Sequence, residues 1–354
     1  MDRRRFLQVS GAALVNALGP YFGSIEAVQS LAPSTFGSSD DLIDEIQGMI
    51  PRLQVLDDQH GGLAGLDFVG AQLQSVMLVL RSGGHDRDTT RQLLVAVADL
   101  AQLAGWKSLD AGKHGLAQRY LLTGLRAARD AGYRSMEAHI LVDLSFQAAS
   151  TGQPGDGVII GQAASDVAAK VTAGVRASVL SRLAFAYATA GDVAGAERTW
   201  LDSRDVLSNR GLASEPGWMY YLTDNHLDCQ AGYALILAGT QSDDRIEARK
   251  LLRKGQELLR TGAYDVPEGD PSERRALYEG AWLARGYTAS GKLDDAADVV
   301  ELVLPRLEHV QSPRSVIVLN EVAADMRKRK RNHRVADVLP DLEAALARQP
   351  HIAA

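Results

Sequence analysis

The sequence is poor in the residue types on which many enzymes and secreted scaffolds depend. Of its 354 residues only Cys229 is a cysteine, which excludes an intrachain disulfide and any zinc site built on cysteine pairs. A reduced, cytoplasmic setting fits that usage, although a disulfide-free exported chain would share it. No stretch reaches the roughly 20 uninterrupted apolar residues that a membrane-spanning helix needs. Positive charge is not in excess: 38 Lys and Arg face 44 Asp and Glu, for a net charge of -6, which argues against a chain that coats nucleic acid. The eight histidines never fall in an HExxH or His-x-x-x-His arrangement, so no metal site is expected. No Gly-x-Ser-x-Gly elbow occurs, and Cys229 has no helix-start or basic context to activate it. Gly155-Asp156-Gly157 with Gly161 follows a helical pattern rather than a strand, which excludes a nucleotide-binding glycine loop. No cofactor is expected and no catalytic constellation stands out.

What the sequence has is one register repeated five times. Glycines expected to end a first helix recur at Gly112, Gly152, Gly191, Gly239 and Gly291. Seven residues before each stands a small residue: Gly105, Ser145, Ala184, Gly232 and Ala284. Five residues after come Ala117, Gly157, Ala196 and Ala296, with Ala248 as the fourth unit's equivalent after a four-residue insertion. Small residues at fixed offsets let the two helices of a hairpin, and then the next hairpin, approach closely. This predicts an all-α, right-handed, tetratricopeptide-like solenoid. The third unit (LSRLAFAYATAGDVAGAERTW) and the fifth (ALYEGAWLARGYTASGKLDDAADVVELVL) carry the pattern most fully, and a degenerate sixth pair is expected over 313–328 and 334–348. The glycines are spaced by 40, 39, 48 and 52 residues, beyond the roughly 34 of a strict tetratricopeptide repeat. The surplus falls in loops at Gly211 to Pro216 and Asp265 to Pro271.

The residue after the small position of each first helix is expected to face the concave groove. It is Trp106, Phe146, Phe185, Tyr233 and Arg285 in turn, four aromatics in a chain with only 6% of them. Large rigid rings supply binding area at low entropic cost, and Arg285 could hold a carboxylate or stack on a ring. These five are the candidate residues for binding a peptide or protein segment in the groove; the alternative is that the rings fill the inside of a tightly curved superhelix. Seven residues earlier stand Asp99, His139, Ser178, His226 and Tyr278, read as a solvated polar rim. An enzyme using Asp99 with His139 or His226 as acid and base is the alternative from another class. The basic run Arg327 to Arg334 fits either an acidic partner or a solvated turn at a helix C-terminus.

Three regions follow: a basic and apolar segment over 1–35, capping helices over 36–87, and the repeat array over 88–350. In the first, Arg3-Arg4-Arg5-Phe6-Leu7 followed by VSGAALVNALG has the order of a twin-arginine export signal, broken by Asn16 and Pro20. About four helices are expected ahead of the array, one ending near Ile50, with turn chemistry over Asp57 to Gly62 and another helix over 66–81.

RRRFLQVSGAAL, the LDDQHGG turn and, most specifically, DLAQLAGWKSLDAGKHGLAQRYLLTGLRAARDAG over 99–132 resemble the tetratricopeptide-repeat module of actinobacterial Xre-type transcriptional regulators. The likeness extends loosely over most of the chain. It implies a cytoplasmic, non-enzymatic sensor or scaffold in transcriptional or developmental regulation, with a peptide or protein partner. In that family Arg-Arg-Arg-Phe-Leu is an internal linker rather than an export signal. The chain departs from the family in lacking a helix-turn-helix, so direct DNA binding is not expected. No membrane partner is expected; a homo-oligomer is compatible with the pattern.

Overall fold

The computed structural model describes residues 39–209, 215–264 and 272–349. The export-like segment and the Asp265 to Pro271 loop lie outside the described residues. Within them are fourteen α-helices and no strand. We number them α1 (Ser39–His60), α2 (Leu66–Ser82), α3 (Arg87–Asp110), α4 (His114–Asp130), α5 (Arg134–Ser150), α6 (Pro154–Ala168), α7 (Ala173–Thr189) and α8 (Val193–Ser208). There follow α9 (Asp224–Gln241), α10 (Arg245–Tyr264), α11 (Glu273–Ser290), α12 (Leu293–Val303), α13 (Pro313–Arg327) and α14 (His333–Ala347). From α3 onward each odd-numbered helix packs on the helix that follows it, and the hairpins stack in sequence. The fold is an all-α, right-handed, tetratricopeptide-like solenoid of helix hairpins.

The hairpin turns follow from glycine. Gly112 (φ 71°), Gly152 (φ 81°), Gly191 (φ 84°) and Gly291 (φ 78°) take the left-handed conformation, which closes a helix end at no steric cost. Gly239 is an exception: α9 runs past it to Gln241, and a Cβ there would stand 3.0 Å from Leu252 Cγ and 3.2 Å from the Ala248 carbonyl oxygen. It is a contact glycine between helices rather than a stop. The small residues do set the hairpin spacing. A Cβ on Gly105 would meet Leu121 Cδ2 at 2.6 Å, and one on Gly232 would meet Leu259 Cγ at 2.7 Å. Gly232→Ala is expected to cost about 1–3 kcal/mol through overpacking, seen as a lower denaturant midpoint; an unchanged midpoint would mean that the α9–α10 hairpin relaxes freely.

One expectation for the N-terminal part changes. The first described helix does not end near Ile50 but continues through Pro51 to His60. Proline removes one backbone donor and crowds the preceding turn, yet Ile43, Ile46, Ile50 and Leu53 keep one buried stripe on both sides of it. Packing of that stripe outweighs the local defect. Two helices precede the array among the described residues, and the rest of the segment expected to carry about four lies outside them.

The larger departure is that the array closes on itself. Helix α1 packs against α3 and also against α11, and α13 reaches α3. The seam is polar and well bonded. Gln311 N donates to the His60 carbonyl at 2.7 Å, and Leu63 N to the Gln311 carbonyl at 3.4 Å. Asp110, fully buried, accepts from Gly62 N (2.9 Å), Ser312 Oγ (2.9 Å) and Arg314 Nε (3.1 Å). Arg274 bonds Asp58 Oδ1 at 2.9 Å and the Asp57 carbonyl at 3.2 Å, while Lys107 Nζ reaches Asp57 Oδ1 at 3.1 Å. What the sequence shows as an open groove is therefore the inside of a ring.

Candidate functional site: a cavity inside the ring

The inward offset does place a continuous line of rings on the concave side. Trp106 and Phe146 have ring centroids 6.1 Å apart, Phe146 and Phe185 4.8 Å, and Phe185 and Tyr233 5.6 Å. Tyr233 continues the line to Tyr278 at 5.4 Å and Trp282 at 6.1 Å. Phe146, Phe185 and Tyr233 are 1%, 3% and 6% exposed, so most of this aromatic surface is spent on packing ring against ring. Trp106 stays half-buried.

Beside the line lies a cavity of ≈ 380 Å³, within the range of about 300–1,000 Å³ usual for small-ligand sites. Of the five candidate residues, Trp106, Phe146 and Tyr233 line it, whereas Phe185 and Arg285 do not. Phe185 lies between neighbouring rings. Arg285 is paired with Glu321 Oε2 at 2.9 Å and lies over the Trp282 ring at 4.8 Å.

The polar strip expected to be a solvated rim is instead covered. His139, Ser178 and Tyr278 are 5%, 1% and 6% exposed. The cover is the segment between α8 and α9, described from Glu215 on. Trp218 stacks on His139 with centroids 4.4 Å apart and planes 25° apart, and the Tyr221 hydroxyl lies 3.3 Å from Ser178 Oγ. Tyr220 bonds Asp58 on α1, and Trp218 Nε1 donates to the Tyr133 hydroxyl at 2.9 Å. The segment is held at its start by Glu215, whose carboxylate accepts from Gly174 N at 2.7 Å and from Thr172 Oγ1. It thereby caps α7, whose N-cap residue Thr172 makes no side-chain capping bond to the helix itself.

His139 and His226 both reach the cavity, while Asp99 does not; it bonds Tyr133, and burial pushes its carboxyl up to about 7. The acid-base triad of the enzymatic alternative is thus not assembled. Burial holds His139 down to about 4, and His226 well below its usual value, in the latter case with the charges of Arg275, Arg182 and Arg274 adding to burial. Both imidazoles are neutral at pH 7, with glutamine amides on Nε2: Gln102 at 3.1 Å for His139 and Gln230 at 2.6 Å for His226. The proton then sits on Nδ1, which in each ring is buried without a partner. Cys229 is buried and its thiol is pushed up, first by burial and then by Glu279.

Several lining residues escaped the pattern argument, above all Arg182, Arg274, Arg314 and Gln230. A signal for some of them exists two residues before each small position, where the sequence reads Leu103, Asp143, Arg182, Gln230 and Trp282. Three successive polar residues on an otherwise buried face are costly unless paired. Here they are: Arg182 Nη1 bonds Asp143 Oδ1 at 2.8 Å, and Ser181 Oγ donates to Gln230 Oε1 at 2.6 Å.

Glu279, also on the wall, is raised to about 7 from 4.5 by burial, against the opposing pull of Arg275. Below about 4.5 it is protonated folded or unfolded; from there to about 7 the unfolded chain ionises first, so its contribution to stability is lost as pH rises. Glu279→Gln should therefore gain about 1–3 kcal/mol over wild type at pH 8 and little at pH 4.5. Melting curves at the two pH values check this; equal effects at both would show that the carboxylate is solvated or fully paired.

Part of the basic run is engaged in ion pairs, while Lys330 and Arg331 stay exposed. Arg327 bonds Glu343, Lys328 Nζ lies 2.8 Å from Asp325 Oδ1, and Arg334 bridges Asp298 and Glu301. Among the described residues no group of three His, Cys, Asp or Glu is placed to hold a metal ion, and no helix is long and apolar enough to cross a membrane.

No protein-family profile matches the chain, and no curated protein does so either. Among solved structures, it is similar to the tetratricopeptide-like repeats of a kinesin light chain-like protein from Podosopora anserina. The identity is 19% and the TM-score 0.38, with 60% of this chain and 96% of that chain covered. A single-substitution variant of the same repeats matches at 19% identity and a TM-score of 0.38 over 61% and 96%.

Proposed function

We propose that the chain is a non-enzymatic sensor module of a regulatory system, binding a small ligand or the end of a short peptide inside its ring. The observation that carries this reading is the composition of the cavity wall. Trp106 and Asp58 come from the first helices and Arg274, Tyr278 and Arg314 from the last ones, so whatever fills the cavity also bridges the seam. A ligand that binds the closed ring more tightly than an opened one shifts the balance between them by that difference in affinity. The outer surface, where a protein partner would dock, then reads whether the ring is shut. A long peptide along the groove fits less well, because the ring and the 215–223 segment occupy its path. Placement in transcriptional control rests on the resemblance of residues 99–132, an analogy of sequence rather than of site chemistry.

Native mass spectrometry of the full chain, purified without denaturation from the cells that make it, tests this reading. A bound small molecule or short peptide, released on unfolding and absent from a Trp106→Ala variant of normal helicity, is the expected result. A chain that carries nothing inside yet still binds its partner in vitro would move function to the outer face.

A further inference from the structure

The cavity wall is uneven in one respect: the seam acids Asp57 and Asp58 are well paired, whereas the guanidinium groups of Arg182 and Arg314 are only partly used. Asp57 holds Lys107 Nζ at 3.1 Å and Arg274 Nη2 at 3.3 Å, and Asp58 takes Arg274 at 2.9 Å and the Tyr220 hydroxyl. Asp110 and Asp143 stand behind the wall, fully buried, and each engages a single nitrogen of one arginine: Arg314 Nε at 3.1 Å and Arg182 Nη1 at 2.8 Å. Both terminal nitrogens of Arg314 and the Nη2 of Arg182 make no hydrogen bond among the described residues, and Arg182 Nε is buried without a partner. These two side chains are 15% and 7% exposed, so bulk water does not serve them well.

They also converge. The guanidinium carbons of Arg182, Arg314 and Arg274 lie 4.5, 5.0 and 5.7 Å from the centroid of the Trp106 ring. Arg182 and Arg314 stand over Phe146 as well, at 5.4 and 5.7 Å. Like charges gathered round one indole repel one another in a medium that screens poorly, and an anion between them relieves that repulsion. A half-used guanidinium presents the planar fork that a carboxylate or phosphate accepts with two parallel hydrogen bonds. The basicity of His226 is depressed first by burial, and the charges of Arg275, Arg182 and Arg274 add to it.

We propose that the cavity binds a small ligand bearing a carboxylate or phosphate group, the anion held by Arg182 and Arg314 and an apolar body filling the rest of the cavity. This rests on the reading of the cavity as the ligand site and adds the chemistry of the ligand. The unpartnered Nδ1 atoms of His139 and His226 and the amides of Gln102 and Gln230 then supply neutral polar contacts around that body.

The test is a titration of the full chain with four compounds of similar shape: phenylacetate, phenyl phosphate, benzyl alcohol and benzylamine, read by calorimetry and by ligand-observed NMR. At least one anion should bind with a Kd below about 1 mM, and the neutral and cationic compounds at least about tenfold more weakly; whichever anion binds better distinguishes a carboxylate from a phosphate ligand. Arg182→Gln and Arg314→Gln should each weaken the anion about tenfold or more while Arg334→Gln leaves it unchanged, with helicity checked by circular dichroism. If either variant fails to fold, the wild-type charge series decides alone. The proposal is overturned if alcohol or amine binds as tightly as the anions, if no compound binds below about 1 mM, or if a folded Arg182→Gln, Arg314→Gln double variant binds the anion as wild type does. A neutral molecule released from the chain in native mass spectrometry would keep the cavity as a ligand site and remove only its anionic character.

Discussion

Arg274→Ala is expected to lower stability by about 3–5 kcal/mol and to open the ring. The guanidinium is 9% exposed and holds Asp57 and Asp58 together across the seam. Burial opposes its charge, but the two carboxylates outweigh burial and hold it more basic than an ordinary arginine. Taking away one member of such a buried set leaves the others uncompensated, and that penalty exceeds the net worth of the pairing itself. Asp57 then keeps Lys107, whereas Asp58 keeps only the Tyr220 hydroxyl, so a buried carboxylate is left without its counter-charge and α1 loses its ion pairs to α11. Small-angle scattering should show a larger radius of gyration and calorimetry a lower melting temperature. Arg274→Lys should recover part of the stability, because a point charge can serve one carboxylate but not the two-sided fork. A lower melting temperature with unchanged dimensions would mean that the Asp110 cluster alone keeps the ring shut.

Gly61→Ala should be comparably damaging for a different reason. Gly61 has φ +82°, and a Cβ there would lie 2.5 Å from the Gln311 carbonyl oxygen and 2.7 Å from its carbonyl carbon. The left-handed conformation alone costs a non-glycine residue about 1–2 kcal/mol. The clash is with backbone across the seam, which cannot rotate away as a side chain can. It would break the bonds from Gln311 N to His60 and from Leu63 N to Gln311. A total of at least about 3 kcal/mol is expected, read from denaturant midpoints. Gly84→Ala is the matched comparison: its φ is +79° with nothing within 4 Å, so only the conformational cost of about 1–2 kcal/mol should appear. Equal losses in the two variants would show that the seam yields at Gln311 without consequence.

The hairpins were legible because every signal for them is local. An αL glycine, a small residue seven positions earlier and another five positions later all lie within one pair of helices, and such offsets locate α3 to α8 and α11 to α12 closely. Gly239 misled because a glycine packed against Leu252 looks the same in sequence as one that ends a helix. Pro51 misled in the same way, although the spacing of Ile43, Ile46, Ile50 and Leu53 carries the helix across it. The inward aromatic offset could be read, but not that Phe185 would be consumed by its neighbours while Trp106 stayed half-buried beside the cavity. That depends on how tightly the superhelix curves. Curvature is the sum of small rotations at each hairpin, and no single position encodes it. The seam was illegible for the same reason: Arg274 and Asp58 are partners only if the whole array has turned far enough to bring them together. The covering of His139 by Trp218 depends in turn on a segment whose length, rather than pattern, made it conspicuous.

Ring closure also alters how the chain must reach and leave its native state. In an open solenoid each unit meets only its neighbours, so contacts are short in sequence, folding propagates stepwise, and the ends fray first. Here the bond between Arg274 and Asp58 joins residues 216 positions apart, and bringing them together demands a search that no local hairpin shortens. Formation of the last contact should therefore be slow compared with the hairpins, and neither terminal repeat is free to peel away while the seam holds. Among the described residues, unfolding should then begin by breaking the seam bonds of Asp58, His60 and Asp110 rather than by the fraying of a terminal hairpin.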